Sequence, residues 1–192
     1  LKLGGVASPA YEAILMQGSG TFSVEAVISS ALPADGKLLA IANGAYGQRM
    51  IQIAKAHKIE TVALSYAEDC QPGLADIDQA LAKDSAITHV AVVHSETTSG
   101  LIIPIAEIGA LVKRKHNRRL IVDAMSSFGG VPIDLSAGDI DFIVSSANKC
   151  IEGVPGFGFI IARRDALLEC EGNARSLSLD IFAQWKGLEA NG

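Results

Sequence analysis

The chain has 192 residues, 49% of them hydrophobic and 19% charged, with a net charge of −5. That length is enough to bury a substantial core in one domain, and the acidic balance argues against nucleic acid as a main partner, because neutralising phosphates needs clustered Lys and Arg. The three cysteines, Cys70, Cys150 and Cys170, show no CxxC spacing, which disfavours a disulfide framework or a zinc site and fits a reducing compartment.

No signal peptide opens the chain, and no apolar run approaches the ~20 residues that span a bilayer. The expectation is a cytoplasmic protein with no membrane partner. Because the first residue is Leu1 rather than Met, the chain is read as a piece of a longer one.

In chain order, short apolar runs alternate with amphipathic stretches, the pattern of βα units and a mostly parallel sheet with helices on both faces. A helix is expected over Phe22–Ala31, a strand over Lys37–Ala42, and a helix over Gly47–His57 with Met50, Ile51, Ile53 and Ala54 on one face. Thr61–Leu64 reads as a strand, and Ile77, Leu81 and Ala82 as the apolar face of a helix after Pro72-Gly73. Then come a strand from Thr88, a helix over Ile105–Lys115, and strands over Leu120–Ala124 and Ile140–Ser145.

Gly156–Ala162 follows too closely for a helical crossover, so this last strand is expected to be antiparallel. A helix over Leu177–Leu188 closes the pattern, and one domain over residues 1–192 is expected. The basic run from Lys113 to Arg119 falls where a helix ends, and cations there complement the helix dipole.

In an open parallel sheet, ligands gather at the carboxyl ends of the strands. Asp123 ends the run Leu120-Ile121-Val122, Lys149 lies just past another strand, and His94 to Thr98 follow a third. Gly18-Ser19-Gly20-Thr21 precedes a helix and offers backbone N–H groups, hydroxyls and the positive end of a dipole, which suits a phosphate. It is neither a P-loop nor a GxGxxG turn, and a simple helix cap explains it equally well.

Asp123 and Lys149, 26 positions apart, are the pair that pyridoxal 5′-phosphate (PLP) needs. The lysine forms a Schiff base, and the acid keeps the pyridine nitrogen protonated. The alternatives are a turn aspartate and a solvated loop lysine. Cys150 reads as a small packing residue and His94 as a satisfied, half-buried histidine. His57, His89 and His116 lack metal-ligand spacing, so no metal is expected.

Five stretches occur in order: Gly18-Ser19-Gly20-Thr21, Asn43–Arg49 (NGAYGQR), His94–Gly100 (HSETTSG), Val122–Gly130 (VDAMSSFGG) and Ser145–Lys149 (SSANK). Together they resemble the class V aminotransferases of PLP fold type I, and the likeness runs from about Met16 to the end. MQGSGTFSVEA, NKCIEGVPG and DIFAQWK resemble the branch that moves the amino group of 2-aminoethylphosphonate to pyruvate, giving phosphonoacetaldehyde and L-alanine.

The resemblance implies that Lys149 carries PLP and that Asp123 pairs with its ring nitrogen. It implies phosphate contacts from Ser19, Gly20 and Thr21, and more weakly from Asn148. Tyr46 would stack on the ring and Thr97 would contact it, with Thr98 as substitute. It further implies a homodimer and a smaller C-terminal domain, absent here, that carries a substrate-binding arginine. Ile103 departs from the pattern, which has a polar residue before Pro104.

Rival readings are an alanine–glyoxylate or serine–pyruvate aminotransferase, a phosphate- or nucleotide-binding module, and an inactive PLP-binding fragment. A desulfurase fits poorly, because none of the three cysteines lies in a recognisable sulfur-handling loop.

Overall fold

A computed structural model describes residues 1–191. Seven strands form one sheet in the order β1-β7-β6-β5-β4-β2-β3. They are β1 (Tyr11–Gln17), β2 (Lys37–Ala42), β3 (Glu60–Ser65), β4 (Ile87–Val93), β5 (Arg119–Asp123), β6 (Phe142–Ser146) and β7 (Phe157–Arg163). Strands β2 to β6 run parallel, and β7 is antiparallel to β6 as the short connection requires.

Seven-residue β1 pairs antiparallel with β7 along its whole length, at the edge of the sheet. Sequence patterning misses this strand. Ile14 and Met16 face one core and Tyr11 the other, while Leu15, on the same side as Tyr11, is half exposed, so apolar residues on both faces hide the alternation.

The helices are α1 (Gly20–Ala31), α2 (Ala45–Ala56), α3 (Leu74–Lys83), α4 (Ile105–Gly109), α5 (Arg164–Leu168) and α6 (Ile181–Asn191). Strand side chains alternate between two cores, as a sheet buried on both faces demands. Leu38, Ala40, Ala91, Val93, Ile121, Phe142 and Val144 face α1, α2, α5 and α6. Leu39, Ile41, Val90, Val92, Leu120 and Val122 face α3 and α4.

Several boundaries differ from the sequence reading. The 105–115 helix is α-helical only to Gly109 and continues with π pitch over Ala110–Lys115. The last helix starts at Ile181 rather than Leu177, because the Asp180 carboxylate accepts the N–H groups of Phe182 and Ala183 and fixes its first turn. The basic run serves the fold: Lys113 and Arg119 pair with the buried Asp141, Arg114 with Asp139, and Lys115 with Asp78. Among the described residues no helix is long and apolar enough to cross a membrane.

Helix α2 lies close against β2 because Gly47 sits at the contact. A Cβ there would come 2.6 Å from Ala42 Cα and 2.8 Å from its Cβ. Gly47→Ala should therefore destabilise the protein by about 1–3 kcal/mol through overpacking, although alanine is the better helix former. Urea denaturation of the two proteins checks this, and an equal or higher midpoint for the variant contradicts it.

Candidate active site

Four strand ends and two helix starts converge on one cavity, lined among others by Ser19, Gly20, Thr21, Tyr46, Arg49, Asp123, Met125, Ser146, Asn148 and Lys149. The turn after β1 delivers Ser19, Gly20 and Thr21. Ser19 is the N-cap residue of α1 and its side chain makes no capping hydrogen bond; the Phe22 and Ser23 N–H groups donate to the Ser19 carbonyl, which leaves those of Gly20 and Thr21 for a ligand. Gly20 packs against the end of the Met125 side chain, whose Sδ would lie 1.9 Å from an added Cβ and would have to move aside.

The start of α2 supplies Tyr46 and, one turn later, Arg49. The guanidinium stacks over the Tyr46 ring at 5.4 Å and reaches Thr21 Oγ1 at 3.4 Å. This places a cation at the cavity wall beside the α1 start.

Asp123, the last residue of β5, is 4% exposed. Its Oδ1 accepts the N–H of Met125 at 2.9 Å, and among the described residues no hydrogen bond is made to Oδ2. Burial pushes the carboxyl up to about 6; Glu96 adds to the rise, while the Met125 hydrogen bond, Arg49 and Lys149 oppose it. Beyond β6, Asn148 and Lys149 are exposed to solvent at the cavity mouth. A buried, protonatable carboxyl therefore faces a cavity that also carries an accessible primary amine and an anion-ready helix start.

Of the sequence-derived candidates, Ser19, Gly20, Thr21, Tyr46, Asp123, Asn148 and Lys149 line this cavity. Thr97 is not among the lining residues; it is exposed, with its hydroxyl 2.6 Å from Ser126 Oγ. Sequence reasoning assigned no role to Arg49, Met125, Ser146 or Glu96. A usable signal existed for Arg49, which follows Tyr46 by one helical turn and so shares its face. His94 is buried with Nδ1 2.8 Å from Ser127 Oγ, and burial lowers its pKa. Cys150 is exposed, its thiol donating to the Ser126 carbonyl.

A family model described as aminotransferase class V matches residues 6–175. The chain belongs to the class V aminotransferase family. Among curated members, the 2-aminoethylphosphonate–pyruvate transaminase of Lysinibacillus sphaericus is 53% identical over all of this chain and 52% of its own length. That of Vibrio cholerae is 55% identical over 94% of this chain and 49% of its own.

This class V chain thus spans about half the length of the curated relatives it matches. Two solved structures share its architecture. Pyridoxamine–pyruvate aminotransferase from Mesorhizobium loti superposes with a TM-score of 0.86 at 27% identity, covering 97% of this chain and 47% of the other. Alanine–glyoxylate aminotransferase from Nostoc does so with a TM-score of 0.83 at 26% identity, covering 93% and 47%.

Proposed function

We propose that this chain is the PLP-holding part of a transaminase that moves the amino group of 2-aminoethylphosphonate to pyruvate. The observation that carries the reading is the convergence of the buried Asp123 carboxyl, the Lys149 amine and the uncapped α1 start on one cavity. The identity above 50% to two transaminases of that name supports the substrate assignment.

The residues present suit the cofactor. The N–H groups of Gly20 and Thr21, the hydroxyls of Ser19 and Thr21, and the nearby Arg49 are what a phosphate needs. Asn148 adds an amide at the cavity mouth. Asp123, which burial holds partly protonated, suits a ring nitrogen whose positive charge would restore its ionised form. The Tyr46 ring supplies a flat face, and Thr97, outside the lining, is the candidate for a further hydroxyl contact.

When bound, PLP supplies an electron sink for the carbon that carries the amino group. Lys149 would hold the cofactor covalently through Nζ. The same Nζ would serve as the base that takes a proton from the amine-bearing carbon of the substrate and as the acid that later returns one. Asp123 would hold a negative charge for the ring nitrogen, and Tyr46 would offer its flat face to the ring. The same reading makes the protein a cytoplasmic homodimer whose substrates are small anions.

The test is purified protein with PLP, given 2-aminoethylphosphonate and pyruvate in one assay and alanine and glyoxylate in another. The first pair should yield L-alanine and phosphonoacetaldehyde at a rate at least about tenfold above any product of the second, as expected of a site that rewards a specific polar group. Turnover of alanine and glyoxylate alone would favour the other class V activity. Visible absorbance of bound PLP with no turnover of either pair would mark a binding fragment.

A further inference from the structure

Glu96 follows β4 and is fully buried, yet among the described residues it forms no salt bridge. Its partners are backbone groups 50 and 49 positions earlier: Oε1 accepts the Tyr46 N–H and Oε2 the Gly47 N–H, each at 3.3 Å. The stem of the side chain lies against Gly44, where an added Cβ would come 2.3 Å from Glu96 Cγ.

Gly44 is the N-cap residue of α2 and has no side chain with which to cap it. The carboxylate therefore caps α2 from across the sheet, and the positive end of the helix replaces the missing cation. Such a bidentate cap costs a buried charge, which a neutral or local cap would avoid. What it fixes is one helical turn, and Tyr46, Arg49 and Met50 of that turn line the cavity.

We propose that Glu96 is a positioning residue for the cofactor site, setting the start of α2 so that Tyr46 and Arg49 face the cavity. The inference rests on the PLP reading given above. Glu96 itself does not line the cavity; it acts through α2. Its negative charge also adds to the proton affinity of Asp123 across the site, so the two carboxyls are linked by field as well as by scaffold.

Glu96→Gln and Glu96→Ala, each alone and combined with Tyr46→Ala, test this in the purified protein. Hydrogen exchange of the ligand-free protein should show faster exchange at the amides of residues 45–48 in Glu96→Ala, with Glu96→Gln intermediate because its carbonyl still accepts one N–H. PLP titration followed by visible absorbance should give a dissociation constant about tenfold higher for Glu96→Ala, the usual scale of a lost cap, and roughly threefold higher for Glu96→Gln.

In the Tyr46→Ala background the same change at Glu96 should cost at least about threefold less, since interacting positions are not additive. A Glu96→Ala protein that unfolds more easily but binds PLP with the wild-type constant, or an effect that stays fully additive with Tyr46→Ala, overturns the positioning role and leaves the functional reading standing. A wild-type protein that takes up no PLP overturns both.

Discussion

Lys149→Ala is expected to leave a folded protein that binds PLP only as a dissociable ligand and whose turnover falls by about ten-thousandfold or more. The magnitude follows from losing two services at one atom. General acid–base catalysis alone contributes about 10²–10⁴, and covalent attachment adds to it. The stability change should stay within about 0.5 kcal/mol, because Lys149 is exposed at the cavity mouth.

Two measurements separate the chemistry from the fold. Borohydride treatment of the wild type should fix a phosphopyridoxyl group on a peptide containing Lys149, and the variant should yield none. Urea midpoints of the ligand-free proteins should coincide. Normal turnover in the variant, or a label on another lysine, ends the assignment.

The second large effect concerns Asp123, where stability and function should move in opposite directions. Its carboxyl is raised from 3.8 to about 6, chiefly by burial. A carboxyl with a raised folded-state pKa binds a proton on folding between those two values, so its burden on stability grows as pH rises from about 4 to about 6 and is complete above that. The full shift corresponds to about 3 kcal/mol at neutral pH, an upper figure given the water that an open cavity admits.

Asp123→Asn removes the charge and keeps an acceptor for the Met125 N–H. The ligand-free variant should therefore be more stable at pH 7 by about 1–3 kcal/mol, with a flatter dependence of stability on pH between about 4 and 6. Turnover should nevertheless fall by about a hundredfold or more, the scale of losing one electrostatic stabiliser. Denaturant titrations across that pH range, beside the transamination assay, check both halves. A variant less stable at pH 7 with an unchanged pH slope refutes the account of Asp123.

Much of this site was legible because its parts obey local rules. The strand-end rule placed Asp123 and Lys149 on one rim, and the short Ser146–Phe157 connection announced the antiparallel strand. What stayed hidden depends on contacts between distant residues. Helix α2 reads as starting at Gly47 but begins at Ala45, and the group that caps it is Glu96, in the loop after another strand. Arg49 looks like one more surface cation until Thr21 and Tyr46 are seen beside it. Thr97 sits within a family-like stretch, yet it is outside the cavity lining and its hydroxyl is engaged with Ser126. Strand β1 was invisible because an edge strand with apolar residues on both faces has no clean period.

That edge strand sets a timetable for the growing polypeptide. Among the described residues, Tyr11 to Gln17 find their only sheet neighbour in residues 157–163, and Gly18 donates its N–H to the Gly156 carbonyl across the same gap, at 2.8 Å. The segment that presents Ser19, Gly20 and Thr21 is made before the rest of the cavity, but it is secured to the sheet only after some 140 later residues have emerged. Closing so long a span is slow compared with the local βα units between. On a ribosome the phosphate-facing loop should therefore be the last part of the cavity to set, and a nascent chain stopped short of β7 should hold its five parallel strands while leaving that loop unanchored.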